Sequence, residues 1–208
     1  MEFRLTYRGN LPAQPSERKE ALLSSKKHAI RRHFHPQMKE FWRKHMRLKG
    51  YFAKIPHTKS IYAPGAEGEE ITGLDVIAND FVVSGYRFLP LVNNRFGLAC
   101  SLDILFLRRD DPGALIHGGD IDNRIKVLFD ALRMPKLEDI QHIGTPQIGE
   151  NPFFCLLEDD NLITDIKITT DRLLTPMEQD EQINDVHLVL HVITKILDLH
   201  KADLWSVS

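Results

Sequence analysis

Apolar and polar residues alternate at the start of the chain, where Phe3, Leu5 and Tyr7 are interleaved with Glu2, Arg4, Thr6 and Arg8. Successive side chains of a strand point to opposite faces, so this pattern predicts a half-buried β-strand ending at the Gly9-Asn10-Leu11-Pro12 turn. From Ser16 the pattern changes. Ser16 suits a helix N-cap with Glu17 and Glu20 in the first turn, which predicts a helix to about His33. Pro36 fits the first turn of a second helix running to about Leu48. Gly50 to Gly73, with Pro56, Pro64, Gly65 and Gly68 inside it, shows no sustained period and reads as a long connection.

Strands follow at Phe81 to Val83, Tyr86 to Val92 and Gly97 to Leu107, and the Asn93-Asn94 turn predicts an antiparallel hairpin between the last two. Asp122 to Arg133 places Ile125, Leu128, Phe129 and Leu132 on one face of a helix. Met134 to Phe154 reads as a loop. Leu156-Leu157, an acidic turn, and strands at Leu162 to Thr170 and Val186 to Ile196 complete the chain. His187 and His191 fall on the last strand, where four residues span roughly 13 Å, so they do not form a helical metal pair. The sum is a single α/β domain over residues 1–208, a mixed β-sheet with flanking helices.

Charge refines this picture. The formal net charge of -2 argues against a polyanion partner, but its distribution does not. Between Ser16 and Lys59 thirteen Lys and Arg oppose only Glu17, Glu20 and Glu40, whereas from Glu150 onward acidic residues dominate. Such asymmetry suits a protein that holds a polyanion at one face and a cation at another. Cys100 and Cys155 lack metal-type spacing and read as buried thiols. No stretch approaches the roughly 18 apolar residues of a membrane span, and Met1-Glu2-Phe3-Arg4 lacks an apolar signal segment, so an intracellular, cytoplasmic protein is expected.

The segment richest in chemistry is Asp120-Ile121-Asp122-Asn123-Arg124-Ile125-Lys126. Asp120 and Asp122 flank one apolar residue where a helix begins, so in an extended lead-in both carboxylates project to one side. Two such carboxylates repel unless a cation lies between them, and a hard ion such as Mg²⁺ takes oxygen ligands. Lys126 stands one helical turn after Asp122, and a second acidic pair, Asp159-Asp160, precedes a strand that can carry it to the same place. An EF-hand loop beginning at Asp120 is excluded, because Arg124, Ile125 and Ala131 occupy positions that need a ligand, a Gly and a Glu.

Asp120-Ile121-Asp122-Asn123-Arg124-Ile125-Lys126, then Asp130-Ala131-Leu132, then Glu158-Asp159-Asp160 before a strand, resembles the signature of the RusA family of Holliday junction resolvases. The resemblance covers roughly Leu98 to Thr170; a basic helical elaboration at about 16–59 and a longer stretch before Asp159 extend the chain beyond the family pattern. It implies a RusA-like fold, a homodimer, and Mg²⁺-dependent cleavage of branched DNA, with Mn²⁺ as a substitute. Asp120, Asp122 and Asp160 would be the catalytic metal ligands and Lys126 the catalytic lysine. Paired nicks across a junction suit a two-fold dimer, associated with the nucleoid when on DNA. Phosphate contacts are expected from Arg31, Arg32, Arg43, Lys44, Arg108, Arg109 and Arg124. Two rival readings remain: a nuclease of the same chemistry acting on flaps, forks or invading DNA, and an inactive module that binds nucleic acid or protein. Either acidic motif alone is more often a cap or a turn.

Overall fold

A computed structural model describes residues 1–13, 20–55, 71–109, 120–179, 181–182 and 185–202. In chain order the elements are β1 (Glu2–Asn10), α1 (Glu20–Lys44), a 3-10 turn (Lys49–Phe52), β2 (Lys54–Ile55), β3 (Ile71–Thr72), α2 (Gly73–Ala78), β4 (Val82–Val83), β5 (Tyr86–Val92), β6 (Leu98–Arg108), α3 (Asp120–Leu132), α4 (Leu137–Ile140), β7 (Phe153–Leu157), a second 3-10 turn (Asp160–Leu162), β8 (Ile163–Arg172), β9 (Asp185–Ile196) and α5 (Leu199–Ala202). The strands at both ends of the chain lie where periodicity puts them. The helix expected from Asp122 instead begins at Asp120, so these two residues stand two apart in a helical first turn and not in the expected extended lead-in. Helix neighbours at that spacing do not share a face. Most of the expected connection between Gly50 and Gly73 lies outside the described residues, and the expected loop after Met134 contains the short α4.

Two helices were expected before residue 50, but α1 runs unbroken through Pro36. Its Ile30, Phe34, Met38 and Trp42 recur every four residues and are each at most 2% exposed. This ridge packs α1 against β1 and β7. Burying four large side chains outweighs the roughly 3 kcal/mol cost of an interior proline.

A four-stranded sheet has the order β1-β9-β6-β8, with β9 antiparallel to both β1 and β6 and β8 parallel to β6. A second, three-stranded sheet has the order β4-β5-β7, in which β5 and β7 run parallel. The architecture is therefore mixed α/β, with flanking helices. The hairpin expected at Asn93-Asn94 does not form, because β5 and β6 belong to different sheets. Asn93 instead folds its side chain into the turn: Nδ2 donates to the Pro90 carbonyl at 2.9 Å and Oδ1 accepts from Phe96 N–H at 2.8 Å. β5 is buried on both faces, the environment of a parallel strand rather than of an exposed hairpin arm. The antiparallel hairpin joins β4 to β5, and Ser84 and Gly85, at φ 50 and 80, supply the two positive angles of a tight turn. Among the described residues no helix is long and apolar enough to cross a membrane.

His28 on α1 is only 2% exposed, and among the described residues neither ring nitrogen has a hydrogen-bond partner. The Phe153 and Tyr86 rings lie 5.5 and 6.2 Å from it. Burial first, then the adjacent Arg32 and Arg31, push its pKa down to about 4. A folded-state pKa below the unfolded one means that the unfolded chain binds the proton first, so stability is complete above about 6.5 and is lost as pH falls towards 4. Replacing His28 with Leu removes this contribution. Acid unfolding followed by circular dichroism should show the midpoint of His28→Leu lower than that of the parent by about half a pH unit or more; an unchanged or higher midpoint would refute the assignment.

Candidate metal and nucleic-acid site

α3 buries Ile125, Val127, Leu128, Ala131 and Leu132 and turns Asp122 and Lys126 to solvent. The Lys126 ammonium lies 3.8 Å from the Asp122 carboxylate, and the two side chains are 62% and 67% exposed. Asp120 opens α3, although its side chain lies outside the described residues. The second 3-10 turn packs against α3 and β6 and buries Leu162. Asp159 and Asp160 differ within it. Asp159 caps the turn, its Oδ1 accepting from Asn161 N–H at 3.0 Å, whereas Asp160 is exposed. The fold thus brings the turn holding Asp160 to the helix that begins at Asp120. Among the described residues no three His, Cys, Asp or Glu side chains are grouped to hold a metal ion, and that set does not include Asp120. The donor chemistry on offer, carboxylate oxygens in water, fits a hard divalent cation.

The far end of α3 is held by ions. Lys27 Nζ lies 2.6 Å from Asp130 Oδ2, and Arg133 donates to Asp130 Oδ1 from Nε and Nη2 at 3.1 and 2.6 Å. Arg31, whose side chain is fully buried, donates to the Asp130 carbonyl at 2.6 Å and the Arg133 carbonyl at 3.0 Å, and lies 3.7 Å from Asp139. Burial opposes ionisation of Asp130, but its hydrogen bonds with Lys27 and Arg133 outweigh this and hold its carboxyl below the usual range. Asp130 belongs to the acidic strip of the motif by sequence, yet its contacts make it an anchor for the helix.

The arginines expected on phosphate divide accordingly. Arg31 departs from that expectation, since its 1% exposure leaves no face for a ligand. Arg32 binds Glu150 at 2.6 and 3.2 Å, and Tyr86 Oη donates to the same carboxylate at 2.8 Å. Burial raises the pKa of Glu150, but these bonds and the Gln147 N–H overcome it and bring it to about 2. Arg108 is buried at the end of β6, and Arg109 pairs with Glu181, which also holds Arg8. Arg124 is half-buried on α3. Arg43 and Lys44 remain exposed at the end of α1, with Lys44 3.1 Å from Glu40.

No protein-family model, curated protein or solved structure matches the chain.

The two ends of α3 should respond differently to neutralisation. Asp130→Asn leaves Lys27 and Arg133 without their counter-charge in a largely enclosed place and should cost roughly 3 kcal/mol in urea unfolding. Asp122→Asn, at the exposed end, should change stability by less than about 0.5 kcal/mol. Equal effects would show that the division between anchor and site is wrong.

Proposed function

We propose that the chain is a metal-dependent endonuclease of the RusA type that cuts branched DNA such as a four-way junction. The observation that carries this reading is the packing of the Asp160 turn against the helix that bears Asp120, Asp122 and Lys126, because those are the residues the sequence resemblance designates. Asp120, Asp122 and Asp160 would hold Mg²⁺, or Mn²⁺ in its place. Bound there, the metal supplies an activated water and neutralises charge that develops on the scissile phosphate.

The chain's own residues contribute accessibility and charge. Asp122, Lys126 and Asp160 stand in solvent, where a polymer too large for a closed pocket can reach them. Lys126 carries a cation beside the Asp122 carboxylate, suited to a non-bridging phosphate oxygen. Arg43 and Lys44, with Arg47 and Lys49 just beyond, form the exposed basic surface left after the buried arginines are removed from the account, and would hold the phosphates of an arm. A homodimer would present two such sites for paired nicks.

The test is cleavage of a labelled synthetic four-way junction beside a linear duplex of the same sequence, with Mg²⁺ and with chelator. The expected outcome is junction nicking only with metal, reduced by about 100-fold or more in Asp122→Asn and in Lys126→Ala while junction binding persists. Binding without cleavage under Mg²⁺ and Mn²⁺ alike would overturn the enzymatic reading.

A further inference from the structure

The two edges of the four-stranded sheet are finished differently. On the β1 edge, Thr6 N–H donates to Gln37 Oε1 at 3.0 Å, Gln37 Nε2 donates to the Thr6 carbonyl at 2.8 Å, and a His33 ring nitrogen lies 3.1 Å from that carbonyl. Side chains of α1 thus occupy both backbone groups of Thr6, at the middle of the edge another strand would use. Over Ile163–Asp171 the β8 edge has no such cover among the described residues, and at its last residue Arg172 N–H donates to Asp171 Oδ1 at 2.7 Å. β8 is ten residues long, and all but Ile163 and Thr170 are exposed. Ile166 and Ile168, 50% and 37% exposed, stand on the same side as their register partners Leu102 and Ile104, which are buried on β6. The layer over the inner face of the sheet stops one strand short of its edge.

A long open edge with isoleucines on one face is a template for another strand. We propose that β8 pairs antiparallel with β8 of a second copy, about a two-fold axis through Ile166, to join two four-stranded sheets into one. The occupant follows from the charges around that axis. In this register Asp165 faces the partner's Lys167 and Lys167 faces the partner's Asp165, while Ile166 meets its own copy. Opposite charges placed directly across a strand pair stabilise it, and like charges oppose it. An axis through Lys167 sets that lysine against itself, and one through Ile168 sets Asp165 against the partner's Asp171. An axis through Thr169 pairs Lys167 with the partner's Asp171 but sets Ile166 against the partner's Arg172. Each charged pair also extends an existing one, since Asp165 lies 2.5 Å from Lys195 and Lys167 lies 3.0 Å from Asp103. Across the joint the order Lys195, Asp165, then the partner's Lys167 and the partner's Asp103 alternates in sign.

The proposed nuclease reading expects two copies, but this pairing is argued from the sheet edge and does not rest on the metal site. The experiment uses the full chain. Light scattering during size exclusion should give a dimer mass, and Lys167→Asp, which faces the partner's Asp165 with a like charge, should weaken dimerisation at least tenfold. Directly opposed residues of antiparallel strands lie about 4.5–5.5 Å apart, within disulfide reach. Ile166→Cys should therefore form a covalent dimer on mild oxidation, Thr169→Cys should not, and the native Cys100 and Cys155, both buried, should not interfere. A monomer at every concentration would overturn the proposal and leave the edge to a foreign strand. A dimer that links through residue 169 rather than 166, or that is indifferent to Lys167→Asp, would overturn it equally. Junction cleavage by a monomer would separate failure here from failure of the nuclease reading.

Discussion

The guanidinium of Arg31, enclosed between α1 and the end of α3, meets two backbone carbonyls that no helical N–H can reach. A helix leaves its last carbonyls unpaired and its C-terminal end partly negative. α3 ends without a glycine, passing from Leu132 through Arg133 and Met134 into Pro135. Arg31 takes over the capping from another helix by donating to the Asp130 and Arg133 carbonyls. Burial, its largest influence, pushes the guanidinium pKa down to about 10, which still leaves it charged at neutral pH. Lys27 and Arg133 on Asp130, and Ser24 on Asp139 at 2.9 Å, complete a polar joint whose removal in part would strand charges away from water.

That joint explains why α1 must be one helix. Lys27 and Arg31 hold α3 from the half before Pro36, while Met38 and Trp42 are buried from the half after it. A break at Pro36 would let the two halves move apart and detach the position of α3 from the core. The rigid body that carries the candidate site is therefore α1 and α3 together, braced by β7, whose Leu157 carbonyl accepts from Met134 N–H at 2.9 Å just beyond the end of α3.

Local pattern revealed the pieces of this structure but not its joints. β1, α3, β8 and β9 were legible because each carries a full period of apolar residues within a few turns or pleats. Ile30, Phe34, Met38 and Trp42 carried the same kind of signal, but the proline between them has a stronger local meaning than a row of four tertiary contacts. The Asn93 turn was legible as a turn, yet a turn that switches sheets and one that closes a hairpin use the same residues. Charge was the least legible. Arg31 and its acceptor carbonyls are 99 and 102 residues apart, and Arg32 and Glu150 are 118 apart, so a count of cations could not tell an internal capping group from a surface that meets phosphate. The motif itself was readable as Asp122, Lys126 and Asp160, but not the structural duty of Asp130 between them.

The acidic residues around α3 can be sorted by what the fold asks of them. Asp130 and Asp139 neutralise buried cations, and Asp159 caps a turn; each has a partner that explains its presence. Asp122 and Asp160 sit in solvent, where the burial of neighbouring chain does not require a carboxylate. An acid in the first turn of a helix gains a few tenths of a kcal/mol from the helix dipole, which suffices to tolerate Asp122 but not to specify it together with Lys126 and a second exposed acid in an adjoining turn. The same helix thus has a C-terminal end saturated with cations supplied by the fold and an N-terminal end from which Asp122 looks outward. Such an arrangement fixes the direction of the helix and leaves the Asp122 carboxylate in solvent.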